Sequence, residues 1–239
     1  WEDVKRLNDE PFDETDKRSR LEWIAYWMQN MSGTDERERT VSRDQLESKL
    51  AGMLVENGEM TDFGKATKES HNFIEQIRKR AGLLIEKGRD RFSFAHLTFQ
   101  EYFAACYIVN KYYLLGVPKL WEEELRKRLH DPRWQEVMLL ILGKQNSFPG
   151  VTSTLIANIL NAQSDYDDIL QRDLLFAGRC LGDDISIETR IKNSIIDGLF
   201  NLFENGKYRG LINNALNILI GMRGSKYEDE VAEKFIKAL

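Results

Sequence analysis

The chain has 239 residues, of which 42% are hydrophobic, and its 34 Lys and Arg against 39 Asp and Glu give a formal net charge of −5. This balance excludes a protein coated with positive charge for nucleic acid, and the apolar content excludes a largely disordered chain. No stretch approaches the roughly 18 apolar residues of a membrane helix, and the acidic N-terminal region is not a signal peptide. We expect a cytoplasmic protein with no membrane contact.

The length fits one large domain or two small ones, and we predict two. The chain begins at Trp1 rather than Met, so we expect a fragment of a longer protein. Its two cysteines, Cys106 and Cys180, are far apart and form no CxxC motif. Neither a disulfide framework nor a structural zinc site is therefore expected.

Three amphipathic helices are predicted first, because apolar residues recur at spacings of three and four. The first runs from Lys17 to about Met31. The second follows Ser42, which suits an N-cap, and ends at Asn57-Gly58. The third spans about Thr67 to Arg80.

A β-hairpin is predicted from Leu83 to Phe94, because polar and apolar residues alternate on its second arm and Gly88 lies in its turn. Three helices followed by a two-stranded wing are the layout of a winged-helix domain, a member of the helix-turn-helix group. We assign this domain, with the helix after the wing, to residues 17–116. Residues 1–16 are predicted to be a linker or the end of a preceding helical domain.

The helix after the wing is predicted from Leu97 to about Leu115, and its aromatic stripe is predicted to be core: Phe99, Tyr102, Phe103, Tyr107, Tyr112 and Tyr113. Gln100 and Glu101 on its first turn are interpreted as structural residues.

Residues 117–239 contain three similar apolar segments that close on Gly143, Gly178 and Gly221, which lie 35 and 43 residues apart. Two-helix repeats of the HEAT kind have periods of about 40–47 residues. We therefore predict a helical HEAT-like bundle or solenoid here, and a mainly α fold for the whole chain.

No complete catalytic motif is visible. The segment nearest to a phosphate loop has five residues between Gly58 and Gly64, and Ala66 follows Lys65. A P-loop needs four intervening residues and a Ser or Thr after the lysine, so we read this segment as a loop and helix start. Acidic runs such as Glu122-Glu123-Glu124 are interpreted as solvated faces. We predict no catalytic and no metal-binding residue.

The winged helix raises the alternative of a DNA-binding transcriptional regulator with a helical sensor or dimerisation domain. Residues 65–91 carry a local excess of four positive charges. Thr67-Lys68-Glu69-Ser70, however, is a poor set of base-reading side chains, and the basic residues collect where they favour the helix dipole. Nucleic acid is not expected as a partner.

The segment 92–105, which reads FSFAHLTFQEYFAA, resembles the wing-to-helix signature of the NACHT-family STAND nucleotide switches, the group that includes the NOD-like receptors. The segments 80–84, 134–137 and 174–181 are similar to the order of that family. His96 matches the motif histidine of the family, which contacts the β-phosphate of ADP. From the pattern alone, a histidine flanked by Phe94, Leu97 and Phe99 is more often a structural side chain, and the phosphate contact is what the resemblance implies. His71 and His130 have no such context and are interpreted as surface or packing residues.

The resemblance implies a regulatory or scaffold fragment of an ATPase switch. Its winged helix would close on an ADP-bound nucleotide domain upstream in the same chain, and its helical repeats would act as lever or sensor. Because no Walker A or B segment is present, we expect no enzyme activity and no cofactor in this fragment; ADP or ATP with Mg would bind in the full-length protein. The resemblance also implies a homo-oligomer on activation, an unidentified triggering ligand and a role in innate immunity or antiviral defence.

Overall fold

The computed structural model describes residues 14–31, 40–80 and 82–238. The chain divides into two compact units, Trp1–Ile108 and Val109–Leu239. Most of the predicted N-terminal linker, residues 1–13, lies outside the described residues. In the described ranges, no helix is both long enough and apolar enough to cross a membrane.

The first unit contains helices and a small sheet in the order expected for a winged helix. Its elements are α1 (Glu14–Met31), β1 (Val41–Ser42), α2 (Arg43–Glu56), α3 (Phe63–Arg80), β2 (Leu84–Glu86), β3 (Arg91–Phe94) and the start of α4 (Leu97–Tyr112). The predicted winged-helix architecture is therefore confirmed.

The wing differs from the prediction because its sheet has three strands, in the order β1-β3-β2. Both pairings are antiparallel, with Val41 opposite Phe92 and Leu84 opposite Phe94. Strand β1 has only two residues, which is too short to carry an alternating pattern. It pairs because Val41 gains burial beside Phe92 on the inner face of the wing.

The starts of α2 and α3 are set by side-chain caps. Ser42 Oγ accepts a hydrogen bond from the Gln45 N–H, and the Gln45 side chain accepts one from the Ser42 N–H, which is a capping box. Asp62 Oδ1 accepts from the Lys65 N–H at 2.7 Å, so α3 begins at Phe63, four residues before the predicted start. The segment that resembles a phosphate loop is thus a loop and helix start, as predicted.

The second unit consists of helices. After the end of α4 these are α5 (Gly116–Leu120), a π-helical turn (Trp121–Leu125), a 3-10 turn (Arg126–Arg128), α6 (Gln135–Lys144), α7 (Pro149–Leu160), α8 (Asp167–Leu170), α9 (Arg172–Gly182), α10 (Thr189–Asn205), α11 (Arg209–Gly221) and α12 (Glu228–Ala238). Helix α9 packs against α7, α10 and α11, and α10 also packs against α7 and α11. Helix α12 reaches α10 through the ring contact of Phe235 with Phe200.

The glycine spacing in this unit corrects the sequence prediction. Gly178 does not close α9, which continues to Gly182. The glycines at the ends of α6, α9 and α11 are Gly143, Gly182 and Gly221, and they recur every 39 residues. The irregular spacing predicted from Gly178 was wrong. The classification as HEAT-like repeats stays a prediction.

The loops that follow α6, α9 and α11 are hydrogen-bonded to one another. The Asn146 side chain donates to the Asp184 carbonyl and accepts from the Ser186 N–H. Asp184 Oδ1 in turn accepts from the Lys226 N–H at 3.0 Å. These bonds link each loop to the equivalent loop of the next helix pair.

Gly178 is buried inside α9, and a Cβ atom there would lie 2.8 Å from Leu199 Cδ1 and 2.9 Å from Ile218 Cγ2. Leu199 is fully buried and has little room to move. We predict that Gly178→Ala lowers the free energy of unfolding by about 1–2 kcal/mol, since the overpacking outweighs the gain in helix propensity. The control is Gly143→Ala, where a Cβ meets nothing within 4 Å. Urea unfolding should show that the control is at least as stable as wild type. A Gly178→Ala variant as stable as wild type would contradict the close packing of α9 against Leu199 and Ile218.

Candidate functional site

His96 lies in the turn between β3 and α4, immediately before the first residue of α4. Its side chain is exposed, and its ring meets Phe99 edge-on with centroids 5.6 Å apart. The described part of the chain supplies no hydrogen-bond partner for either ring nitrogen. The imidazole is therefore available to a group from elsewhere.

The backbone on both sides of His96 is anchored. The Ala95 N–H donates to the Leu83 carbonyl at 2.8 Å, which extends the pairing of the wing. On the first turn of α4, Gln100 is buried and donates to Gln29 Oε1 of α1 at 2.6 Å. The predicted structural role of Gln100 is thus confirmed, and the turn that carries His96 is held from two directions.

Two aromatic residues continue the exposed surface that begins at His96. Phe99 and Tyr102 are 39% and 40% exposed and follow at intervals of three residues along α4. The prediction that the whole aromatic stripe is core was wrong for Tyr113, which lies just beyond the end of α4 and is 74% exposed, and it was also wrong for Phe99 and Tyr102. Their spacing from His96 was the available signal, because residues three apart share a helix face. We call His96, Phe99 and Tyr102 the α4 face.

Three basic residues of the patch at 65–91, namely Arg78, Lys79 and Arg91, are engaged in ion pairs or hydrogen bonds. Glu75 bonds Arg78 and Arg43, each at 2.8 Å, and lies 3.4 Å from Lys79. Arg91 in the wing donates to the side chain and the carbonyl of Thr40. A DNA reader presents such side chains to phosphates and base edges, so the engagement of these three residues does not favour DNA binding.

A Ser-His-Asp set occurs in the second unit, but its geometry is structural. Asp173 is buried, and its Oδ1 lies 2.6 Å from both His130 Nε2 and Ser164 Oγ. In a catalytic triad the histidine lies between the acid and the serine. Here His130 Nε2 lies 3.0 Å from Ser164 Oγ, but the same nitrogen lies 2.6 Å from Asp173 Oδ1, and the serine hydroxyl donates to the aspartate itself. The acid and the serine therefore do not bond opposite nitrogens of the ring, as they do in a triad. His130 is a packing residue, as interpreted, and His71 is exposed with Nδ1 2.9 Å from Glu47.

One acidic run was misread from the sequence. Glu124 is buried rather than solvated, and it bonds Arg128 at 2.6 Å, Lys111 at 3.1 Å and the Tyr112 hydroxyl at 3.0 Å. Three donors to one carboxylate compensate its burial. Among the described residues, no group of three or more Cys, His, Asp or Glu is arranged to hold a metal ion.

The three helices and three-stranded wing define the first unit as a winged-helix domain. Residues 2–108, slightly less than half of the chain, match the family described as the winged helix-turn-helix domain C-terminal to NACHT. This part of the chain is therefore a NACHT-associated winged-helix domain, and the resemblance inferred around His96 is confirmed. No curated protein and no solved structure matches the chain.

The Glu75 cluster gives the first unit a specific acid sensitivity. Hydrogen bonds from Arg78 and Arg43 lower the Glu75 pKa from 4.5 to about 2. A carboxyl whose pKa is lowered by folding contributes stability above its unfolded pKa and loses it as the pH falls toward the folded pKa. Between pH 5 and pH 3, we predict that the free energy of unfolding falls by up to about 2 kcal/mol less in Glu75→Gln than in wild type.

Urea unfolding at the two pH values measures this difference. Glu56→Gln is the control, because Glu56 is an exposed helix carboxylate with no partner in the described residues. Equal acid sensitivity of wild type and Glu75→Gln would show that the cluster does not stabilise the fold.

Proposed function

We propose that this chain is the regulatory part of a NACHT-type signal-transducing ATPase. In this proposal the winged-helix unit closes on an ADP-bound nucleotide domain that lies upstream in the same polypeptide, and the helical unit acts as lever or sensor. The observation that carries the proposal is the exposed imidazole of His96, whose nitrogens have no hydrogen-bond partner in the described residues, in a domain family that follows NACHT.

The residues around His96 fit a phosphate group. A ring N–H can donate to a phosphate oxygen, and a protonated ring adds charge to that bond. The ring lies at the N-terminal end of α4, a helix of 16 residues whose dipole also favours negative charge there. The bound nucleotide would supply the phosphates and its Mg ion. This chain would supply the His96 ring N–H as the donor, on a backbone held by the hydrogen bonds of Ala95 and Gln100.

Phe99 and Tyr102 would contribute to the same closure through apolar contact. Their exposed rings lie beside His96 on the α4 face, so a domain that presents a nucleotide to His96 would also cover them. Their burial would stabilise the closed state by the hydrophobic effect. Both contributions disappear when the winged helix moves away, which is the differential contact that a switch requires.

The free energy of the proposed His96 hydrogen bond is large enough to shift the equilibrium between the closed and open forms. A hydrogen bond to a charged group contributes about 1.5–3 kcal/mol, which corresponds to roughly 10- to 150-fold in an equilibrium constant. Loss of this bond would therefore shift a closed protein markedly toward its open form. Opening on exchange of ADP for ATP, with assembly into a homo-oligomer and a role in antiviral defence, completes the proposal on the basis of the family resemblance.

The direct test uses the full-length native protein purified without added nucleotide. We predict that wild type retains ADP near one equivalent and that His96→Ala retains at least about tenfold less after dialysis, with raised basal activity. Denaturation followed by chromatography of the released nucleotide measures retention. His71→Ala is the matched control, since His71 is an exposed histidine of the same unit that bonds Glu47 instead.

Two results would contradict the proposal. The first is equal ADP retention and equal basal activity in wild type and His96→Ala. The second is an equal loss in His71→Ala and His96→Ala, which would indicate a general loss of stability rather than a lost phosphate contact.

A further inference from the structure

The loop between α7 and α9, residues 161–171, has a strained backbone. Gln163, Tyr166 and Gln171 have positive φ angles of 53°, 61° and 50°. The left-handed region brings Cβ close to the following carbonyl oxygen, so it is uncommon outside glycine and rare for a bulky residue such as tyrosine. Helix α8 forms one short turn inside this loop. Backbone strain of this kind concentrates at functional sites.

Hydrogen bonds to Asp173 hold the strained loop in place. The N–H and the hydroxyl of Ser164 both donate to the buried Asp173 carboxylate, at 3.2 and 2.6 Å. The Asp173 N–H in turn donates to Asp167 Oδ1 at 2.8 Å. The loop backbone is therefore fixed by the structure beneath it, and its exposed side chains are held in a defined arrangement.

Three apolar side chains of the loop are exposed together. Tyr166, Ile169 and Leu170 are 72%, 47% and 40% exposed. The N–H groups of Ile169 and Leu170 donate to the Tyr166 carbonyl at 3.1 and 2.8 Å, which places the three residues on one turn. We call Tyr166, Ile169 and Leu170 the α8 face.

The Tyr166 side chain makes no contact within the fold that offsets its backbone strain. Among the described residues its hydroxyl has no hydrogen-bond partner, and its ring has no aromatic or cationic partner. Glycine or asparagine at this position would adopt the same backbone at a lower cost. A residue that costs stability without an internal contact fits a role in binding.

The rim of the α8 face is acidic. Asp165 and Asp168 are exposed and form no ion pair in the described part of the chain. Arg172 is the one cation between residues 161 and 172, and it is turned inward, because its Nε is buried and its Nη2 donates to the Asp165 carbonyl. His130, which also contacts the loop, lies against the buried Asp173. The charge presented beside the α8 face is therefore negative.

We propose that the α8 face binds a basic amphipathic helix of a partner protein. The apolar stripe of such a helix would cover the α8 face, and its flanking lysine or arginine residues would pair with Asp165 and Asp168. Tyrosine is among the residues enriched in interface hot spots, which suits the position of Tyr166. Nucleic acid and anionic lipid are disfavoured as occupants, because the two carboxylates repel their phosphates.

This inference gives a partner class to the sensor role proposed for the helical unit and rests on that part of the proposed function. Its test requires no nucleotide and no closure of the winged helix. Failure of peptide binding would leave the His96 contact unaffected, and loss of the His96 contact would leave peptide binding unaffected. The two outcomes are therefore distinguishable.

The experiment measures binding of the 239-residue chain to pools of two-heptad amphipathic peptides by fluorescence anisotropy. The apolar positions vary among leucine, isoleucine and phenylalanine. The polar positions are all lysine in one pool, all glutamine in the second and all glutamate in the third. We predict that the lysine pool binds at least about fivefold more tightly than the glutamine pool, and that the glutamate pool binds most weakly.

Tyr166→Asn tests the strained residue, because asparagine tolerates the left-handed region. We predict that this variant binds the lysine pool at least about fivefold more weakly, while its urea midpoint equals or exceeds that of wild type. Tyr208→Asn is the matched control, since Tyr208 is 56% exposed but has a φ angle of −112°. The control should leave peptide binding unchanged and should not raise the urea midpoint.

Asp165→Asn and Asp168→Asn test the acidic rim. Each should weaken binding of the lysine pool about two- to threefold and leave binding of the glutamine pool unchanged, because only a charge is lost. Asp229→Asn is the matched control, since Asp229 is an exposed aspartate in the first turn of α12 with no partner in the described ranges.

Each of four results would overturn the proposal. The first is no binding of the lysine pool up to about 1 mM. The second is equal binding of the lysine and glutamate pools, which would remove the charge complementarity. The third is binding of the lysine pool that Tyr166→Asn leaves unchanged, which would place the peptide elsewhere. The fourth is binding of the chain to phosphatidylcholine vesicles that Tyr166→Asn abolishes, which would make the occupant a lipid surface.

Discussion

The turn between β3 and α4 is the constraint on which the functional account depends. The Ala95 N–H is fixed to the Leu83 carbonyl, and Gln100 is fixed to Gln29 in the interior, so His96 between them has little freedom. A histidine on a mobile loop would lose conformational entropy on every contact. A histidine whose backbone is already held loses less, and its bond to an external acceptor can contribute nearly its full value to a switch.

Several cations of this winged helix form ion pairs within the domain, whereas a DNA-reading domain presents its cations to phosphates. Glu75 gathers Arg43, Arg78 and Lys79 into one cluster, and the resulting fall in its pKa reflects how strongly the cations are engaged. Cations used in this way stabilise the packing of α3 against its neighbours and contribute little to a phosphate-binding surface. The unit also exposes two aromatic rings, Phe99 and Tyr102, and exposed aromatic rings are enriched where one protein contacts another.

Local signals predicted most of the first unit, and long-range contacts account for what they missed. Ser42 and Gly88 mark the start of α2 and the turn of the wing, because capping and positive φ are properties of a few adjacent residues. Strand β1 forms only because it pairs with β3, and a sequence pattern of two residues is too short to predict it. In the second unit the 39-residue period was present in the sequence, but Gly178 obscured it until the end of α9 was known. A surface groove between α6, α9 and α11 joins residues from three helices, and no local pattern predicts such a convergence.

The central claim is that His96 is exposed in this chain and covered by nucleotide and nucleotide domain in the complete switch. Carbethoxylation of histidines, followed by mass spectrometry, measures this directly in the full-length protein with and without ADP. We predict that His96 is carbethoxylated in the 239-residue chain and protected in the ADP-loaded protein. The extent of carbethoxylation of His71 should not depend on ADP. Equal modification of His96 with and without ADP would contradict the account.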